Sequence, residues 1–319
     1  MKEYGGYIEF ERFHGKMLHE QAIDLNCGRN ALAYLCLNKK IEKIYFPYYI
    51  CDSVTNICQK IGAQFEYYHI SPNFEPVFDA NLGANHWIYI INYYVQLDNE
   101  KIKKIKQRYQ RVIIDNAQSY FQLPIPNTDT IYTCRKYFGV SDGAFLYSDC
   151  KVNESIPTDE SRERMNFSMG RLERSANAFY KEYVANNKMF ATEPIKKMSL
   201  ITKNILCGID YEKVAEIREE NFAYLQRKLQ DINLLELSIP KGAFMYPLLI
   251  KEGMEVRRKL QQEKIYVPLL WPNVLETCKT EDLEYKYAAG ILPLPVDQRY
   301  KLEDMRYIVK RVKEKIKEL

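Results

Sequence analysis

The first half of the chain alternates short apolar runs with helical patterns, and this alternation limits the fold more than any other feature. Runs rich in β-branched and aromatic residues occupy residues 45–50, 65–70, 87–95, 112–116, 129–135 and 143–149. Helical patterns such as SVTNICQKIGA and the basic NEKIKKIKQRY separate the earlier runs. Strand–helix–strand alternation at this spacing predicts an α/β domain with a largely parallel sheet.

The second half has a different pattern. Residues 155–205 favour helices and contain no clear strand, and residues 214–230 form an amphipathic helical pattern. A strand at 243–250, a helix in MEVRRKLQQEKI and a second strand in YVPLLWP follow. The last helix carries one apolar face, made of Leu302, Met305, Ile308, Val309, Val312 and Ile316. We therefore predict a large domain over residues 1–205 and a small C-terminal α+β domain over residues 206–319.

Composition excludes several classes of protein. A net charge of +4 over 319 residues is too small to indicate a nucleic-acid partner. The longest apolar run, WIYIINYYV, is far shorter than the roughly 20 residues that cross a bilayer, and the amino terminus does not resemble a signal peptide. The eight cysteines lack CxxC spacing and the four histidines lack metal-binding spacing. We expect a cytoplasmic protein with reduced thiols, no metal and no membrane partner.

Three stretches stand where open α/β sheets bind ligands, at strand ends or helix starts. In LNCGRNALAYLC, Gly28 precedes a predicted helix, whose exposed amides and positive dipole end favour an anion. In VIIDNAQSYF, Asp115 ends a buried strand, and Gln118 follows three residues later. Asp115 is either a capping aspartate or a carboxylate that pairs with a cationic ligand nitrogen.

The third stretch is TCRKYFGVSDGAF, in which Lys136 follows the hydroxyl residue Thr133 and precedes a glycine-punctuated turn. Alone, Lys136 reads as an ordinary turn lysine. Together, the three stretches supply what pyridoxal phosphate (PLP) requires. An anion cradle and a hydroxyl suit its phosphate, a carboxylate suits its ring nitrogen, and a lysine bonds covalently to its aldehyde.

With these motifs the sequence resembles the fold type I PLP-dependent aminotransferases, and among them the DegT-type family that aminates nucleotide-linked keto-sugars. The family's phosphate motif is matched by Gly28, Arg29 and Asn30, and its Asp-x-Ala-Gln strand end by residues 115–118. Its lysine motif is matched by Thr133, Lys136, Gly139 and Asp142–Gly143. FMYPLLIKEGMEVRRKLQQEKIYVPLLWP and ILPLPVDQRYKLEDMRYIVKRV also resemble the family's small domain.

Three departures from the family pattern affect the expected site. Arg29 replaces a small hydroxyl residue, so phosphate binding there would depend on backbone amides and the guanidinium. The aromatic residue that stacks on the cofactor falls near Cys51, for which Tyr49 or Tyr48 would substitute. YVANNKMFATEPIKKMS replaces the family's Gly-Tyr-Asn-Tyr-Arg-like stretch, and its Asn186 and Asn187 are candidates for the missing contact.

The resemblance implies a homodimer that moves an amino group, usually from glutamate, to a nucleotide-linked keto-sugar in surface polysaccharide biosynthesis. Lys136 would be the covalent anchor and the general acid and base, and Asp115 would keep the ring nitrogen protonated. Arg135 and Arg29 are candidate partners of a carboxylate or phosphate. Two alternatives stay open: a PLP enzyme with a non-sugar substrate, and an aminotransferase-like protein that binds without catalysis.

Overall fold

A computed structural model of the chain describes residues 4–151 and 153–319. Its main sheet has eight strands in this described part, in the order β1-β8-β7-β6-β5-β2-β3-β4. The strands are β1 (Ile23–Leu25), β2 (Lys43–Pro47), β3 (Gln64–Ile70), β4 (Pro76–Val77), β5 (His86–Ile91), β6 (Val112–Asp115), β7 (Asp129–Thr133) and β8 (Ala144–Tyr147).

The five central strands of this sheet are parallel. Strands β3, β2, β5, β6 and β7 pair in parallel, whereas β4, β8 and β1 add antiparallel edges. All four residues of β6 are buried, as expected for a strand covered on both faces. The predicted α/β class with a mostly parallel sheet is confirmed.

Helices join and cover these strands. They are α1 (Gly28–Lys39), α2 (Asp52–Ile61) and α3 (Asn99–Tyr109). The basic helix α3 buries Ile102, Ile105 and Tyr109, so its lysines form the outer face, and Asp98 caps it by accepting from the Lys101 amide. Because parallel crossovers bring all strand ends of one kind to one edge, the residues that follow β2, β6 and β7 meet there.

The middle segment is helical, as predicted. It contains α4 (Asn166–Glu173), α5 (Tyr180–Met189) and α6 (Leu200–Cys207). Between residues 155 and 205, all of them described, the extended pairing is a single bridge from Thr158 to Lys197. This segment packs beside the start of α1, where Asn26 and Asn30 donate to its backbone carbonyls.

The C-terminal part forms a second core around a two-stranded antiparallel sheet. This core packs together α7 (Tyr211–Leu229), β9 (Met245–Leu249), α8 (Gly253–Gln262), β10 (Ile291–Pro295) and α11 (Leu302–Lys317). The short helices α9 (Pro272–Thr277) and α10 (Leu283–Gly290) instead bury Val274, Tyr287 and Ala288 in the main core. The predicted apolar face of α11 is confirmed at its centre, where Met305, Ile308, Val309 and Val312 are buried. No helix in the described ranges combines the length and apolar character that a membrane crossing needs.

The predicted strand in YVPLLWP is wrong. Residues 266–271 are irregular, and α9 begins at Pro272. Pro268 has no amide hydrogen to donate to a ladder, and a proline at the first helical position favours a helix start. The strand that pairs with β9 is instead β10, with Ile291 opposite Leu249.

Candidate active site

A cavity of about 170 Å³ lies at the carboxyl ends of the central strands, beside the start of α1. Cavities of roughly 150 Å³ admit a benzene ring, so this one has space for one six-membered ring. Six of the eight predicted site residues line it, namely Gly28, Arg29, Asp115, Gln118, Thr133 and Lys136. Residues from strand ends that are distant in sequence therefore meet in one site.

Asp115 is the last residue of β6 and is 7% exposed. The Tyr89 hydroxyl donates to its Oδ2 at 2.9 Å, and the Ala117 amide donates to its Oδ1 at 2.8 Å. Burial raises the pKa of this carboxyl, while the charge of Lys136 and the two hydrogen bonds oppose the rise. A buried carboxylate of this kind is suited to stabilise a cation within the cavity.

Lys136 lies in the turn after β7, and its side chain is accessible from the cavity. Within the described ranges its amine has no hydrogen bond or ion pair, and it lies 5.5 Å from the centre of the Phe244 ring. Burial lowers the pKa of this amine, and the nearby charge of Asp115 partly restores it. A lysine amine with a lowered pKa is more often neutral and therefore more nucleophilic.

The turn that carries Lys136 is held by the C-terminal part. The Tyr137 carbonyl accepts hydrogen bonds from Arg218 Nη2 at 3.3 Å and from Gln298 Nε2 at 2.9 Å. The Tyr137 hydroxyl donates to the Gln118 carbonyl at 2.7 Å. Lys136 is thus followed by a residue that is fixed at both its backbone and its side chain.

The Asp142–Gly143 pair of the lysine motif stabilises the fold instead of facing the cavity. Asp142 is fully buried and accepts from the Ser199 amide at 2.7 Å, from the Ser199 hydroxyl at 2.8 Å and from the Thr202 hydroxyl. Gly143 has φ of 110°, and a Cβ there would lie 3.0 Å from the Thr202 methyl carbon. These contacts connect the turn before β8 to the start of helix α6.

The residues of the predicted phosphate motif have two different roles, since Gly28 lines the cavity and Asn30 stabilises the fold. Helix α1 begins at Gly28, and the Cys27 sulfur accepts from the Asn30 amide at 3.4 Å. Asn30 does not line the cavity, because its side chain is buried and donates to Asn26 Oδ1 and the Pro194 carbonyl. Gly28 does line it, and the amides of the first turn have no acceptors within the helix.

Gln118 and Thr133 line the cavity through different groups. Gln118 is 1% exposed, and its Oε1 already accepts from the Tyr94 amide at 3.0 Å. The Thr133 hydroxyl makes a long contact of 3.5 Å to the Gly143 carbonyl, which leaves it available to a better acceptor.

The tyrosine predicted to stack on a ligand lies outside the cavity wall. Tyr49 is 1% exposed and packs in the core against Tyr93 and Trp271, and Tyr48 also lies outside the wall. The wall residues at this place are Cys51 and Trp271. The sequence does not predict Trp271 as a site residue, because YVPLLWP has a strand-like composition; the local signal against a strand is Pro272, which favours the start of a helix directly after Trp271.

Asn187 and Asn186, predicted as candidates for a missing contact, have separate positions. Asn186 is buried and donates to the Ser141 carbonyl at 2.8 Å. Asn187 instead reaches two cationic residues of the wall: its carbonyl accepts from Arg29 at 2.9 Å, and its side-chain oxygen accepts from Arg135.

Comparisons with known proteins agree with this architecture. No family model and no curated protein sequence matches the chain. A DegT DnrJ EryC1 StrS aminotransferase from Brucella abortus is similar in structure, with a TM-score of 0.61 and 14% identity over 92% of this chain and 85% of that one. The chain has the type I aminotransferase fold. The resemblance read from its motifs is confirmed at the level of fold.

Two further solved structures are similar to the chain. PseC from Helicobacter pylori, an aminotransferase involved in the biosynthesis of pseudoaminic acid, has a TM-score of 0.64 and 13% identity over 93% of this chain and 87% of that one. NtdA from Bacillus subtilis, with bound cofactor PMP, has a TM-score of 0.62 and 13% identity over 93% of this chain and 73% of that one.

Proposed function

We propose that this protein is a PLP-dependent aminotransferase whose covalent anchor is Lys136. The observation that carries the proposal is the pairing of two groups in one ring-sized cavity: the cavity-facing amine of Lys136, which has no hydrogen bond or ion pair within the described ranges, and the buried carboxylate of Asp115. The structures with PLP-type cofactors in the same fold support it. Bound PLP would supply an aldehyde that carries the amino group and a ring that accepts electrons.

The charges of the cavity wall fit this cofactor. Among the described wall residues, the cationic side chains are Arg29, Arg135 and Lys136, and the carboxylate is Asp115. Lys136 and Asp115 compensate each other, so the two arginines leave the wall with an excess of two positive charges. A phosphate monoester carries nearly two negative charges at neutral pH, so it would balance this excess.

The chain's own residues would divide the chemistry as follows. Asp115 holds a proton on the ring nitrogen through an ionic hydrogen bond, and Tyr89 and Ala117 keep its carboxylate oriented. Lys136 Nζ would be freed when the amino group of the donor replaces it at the aldehyde carbon, and it would then take the proton from the α-carbon of the donor and later return a proton to the acceptor. Gly28 and Thr133 contribute an amide and a hydroxyl to the phosphate.

Reductive trapping tests the anchor directly. Purified protein is mixed with PLP, its visible absorption is recorded, and it is then reduced with borohydride and digested for peptide mapping. We expect an absorption band and a phosphopyridoxyl label on Lys136, and neither in Lys136→Ala protein. A folded wild type without band or label would support a binding scaffold and contradict the proposal.

The acceptor in this proposal is a nucleotide-linked keto-sugar on the way to a surface polysaccharide, and the donor is glutamate. The proteins of similar structure include sugar aminotransferases, which supports a sugar acceptor. The test is release of 2-oxoglutarate from glutamate with 4-keto and 3-keto nucleotide sugars. Turnover with free keto acids alone would favour a non-sugar substrate.

The proposal includes a cytoplasmic homodimer. Large apolar side chains at Tyr7, Ile8 and Leu172 are 96%, 91% and 90% exposed in the isolated chain, which supports a partner surface. All eight cysteines are free thiols, which supports a reducing compartment. Sedimentation at micromolar concentration should give twice the mass of the chain; a monomer with full activity would contradict the dimer.

A further inference from the structure

Three arginines surround one phenylalanine ring beside the cavity. The guanidinium carbons of Arg29, Arg135 and Arg164 lie 5.9, 4.7 and 5.5 Å from the centre of the Phe190 ring. Like charges gathered around one ring repel one another, and cation–π contact with the ring offsets only part of this cost, so we expect anions or polar groups to compensate the rest.

The compensation differs among the three. Arg164 has an ion pair with Asp159, in which Nη2 and Oδ2 are 2.7 Å apart. Arg29 and Arg135 have no ion pair within the described ranges, and each donates instead to one oxygen of Asn187. A neutral asparagine orients these two guanidinium groups without neutralising their charge.

The two arginines without a carboxylate are also the two that line the cavity. Burial lowers the pKa of Arg135, and the charge of Arg29 lowers it further. An anion between the two guanidinium groups would relieve both penalties. Guanidinium groups bind phosphate through parallel pairs of hydrogen bonds, which gives them an advantage over lysine at such a site.

We propose that Arg29 and Arg135, held side by side by Asn187, form a two-arginine clamp for a phosphate dianion in the cavity. This inference rests on the proposed function, since the phosphate belongs either to PLP or to the diphosphate of a nucleotide-linked acceptor. Asn187 of α5 is a positioning residue of the clamp. Its backbone carbonyl oxygen accepts from one guanidinium group, and its side-chain oxygen accepts from the other.

The test compares ligands with and without phosphate. Wild type, Arg29→Gln and Arg135→Gln proteins, freed of cofactor, are titrated with PLP, with pyridoxal and with uridine diphosphate, and each dissociation constant is measured by absorbance or by competition. Arg164→Gln is the matched control, because Arg164 shares the Phe190 ring but does not line the cavity. Thermal unfolding confirms that each variant is folded, and Arg135→Lys restores the charge without the planar group.

A clamp on the cofactor phosphate predicts at least a roughly tenfold loss of PLP affinity in each glutamine variant, with pyridoxal affinity changed by less than about twofold. A clamp on the acceptor predicts unchanged PLP affinity and an equal loss for uridine diphosphate. Arg164→Gln should change neither, and Arg135→Lys should recover only part of the loss.

Folded variants that bind PLP and uridine diphosphate as tightly as wild type would overturn the clamp while leaving the aminotransferase proposal intact. Wild type that binds uridine diphosphate through these arginines but never attaches PLP at Lys136 would overturn the proposed function and leave the clamp. A loss of pyridoxal and PLP affinity by equal factors would also overturn the clamp, because the arginines would then act on the ring or on the fold.

Discussion

Asp115, the last residue of β6, and Asp142, in the turn before β8, are two buried carboxylates, and burial raises the pKa of both. Around Asp142, two hydroxyls and an amide from α6 occupy the oxygens. Around Asp115, a tyrosine hydroxyl and an amide occupy the oxygens, but an unpartnered lysine and an open space lie on the remaining side. Both carboxylates are buried, but their surroundings differ: contacts within the fold occupy the oxygens of Asp142, whereas one side of Asp115 is open to the cavity.

The largest effect that this comparison predicts is at Lys136. Lys136→Ala removes the amine that forms the covalent bond and transfers the proton, so turnover should fall by about 10⁴-fold or more. The free energy of unfolding should change little, because the amine faces the cavity and has no hydrogen bond or ion pair within the described ranges. Steady-state kinetics and chemical unfolding measure the two quantities, and activity near that of wild type would remove Lys136 from the mechanism.

Asp115→Asn should lower turnover by roughly 10²–10³-fold, because a neutral amide stabilises a cationic ring nitrogen less than a carboxylate does. The comparison requires that Asp142→Asn, assayed below its unfolding temperature, keeps most of its activity. Comparable losses of kcat in the two folded variants would show that the two carboxylates do not differ as described.

Asp142→Asn should instead lower stability, by about 2 kcal/mol, since the amide nitrogen faces donors where a carboxylate accepted three hydrogen bonds. Urea unfolding of the cofactor-free proteins measures this loss. Asp115→Asn serves as the control and should not show it. An equal loss of unfolding free energy in both variants would mean that Asp115 contributes as much to the stability of the fold as Asp142 does.

The smallest effect concerns pH. The folded pKa of Asp115 is above its ordinary value of 3.8, so the folded state binds the proton more tightly than the unfolded state. Its contribution to the free energy of unfolding therefore falls as pH rises from about 3.8 through the raised folded value, and it stays low above that. The Asp115→Asn variant has no carboxyl to titrate at this position. The free energy of unfolding of the variant, minus that of cofactor-free wild type, should therefore increase as pH rises through that window. If this difference in the free energy of unfolding decreases with rising pH, the pKa of Asp115 in the folded state is lowered and not raised.

Much of this site follows from local sequence. A run such as VIID is apolar enough to be buried on both faces, so Asp115 must stand at a strand end. The turn after DTIYT similarly places Lys136 at the same sheet edge. Parallel topology then brings the two together, because it collects strand ends that are adjacent in the sheet and not in the chain.

The rest depends on contacts between distant residues, which no local pattern encodes. Asn187 reaches Arg29 across 158 positions of sequence and Arg135 across 52. Tyr49 occurs in an aromatic run whose residues are suited either to the wall of the cavity or to the hydrophobic core. Its position in the core depends on packing against Trp271, which is distant in sequence. YVPLLWP has strand-like composition, but its two prolines direct the backbone otherwise.

The Tyr137 carbonyl, next to Lys136, accepts its two hydrogen bonds from residues 218 and 298 of a 319-residue chain. During synthesis on the ribosome, the lysine turn emerges long before the side chains that fix it. The nascent protein therefore passes through a stage in which the main sheet can form while the amine of Lys136 is not yet oriented. If Lys136 is the anchor that we propose, covalent capture of a cofactor would be a late event in biogenesis, and fragments truncated before residue 298 are expected to leave the ribosome without a competent anchor.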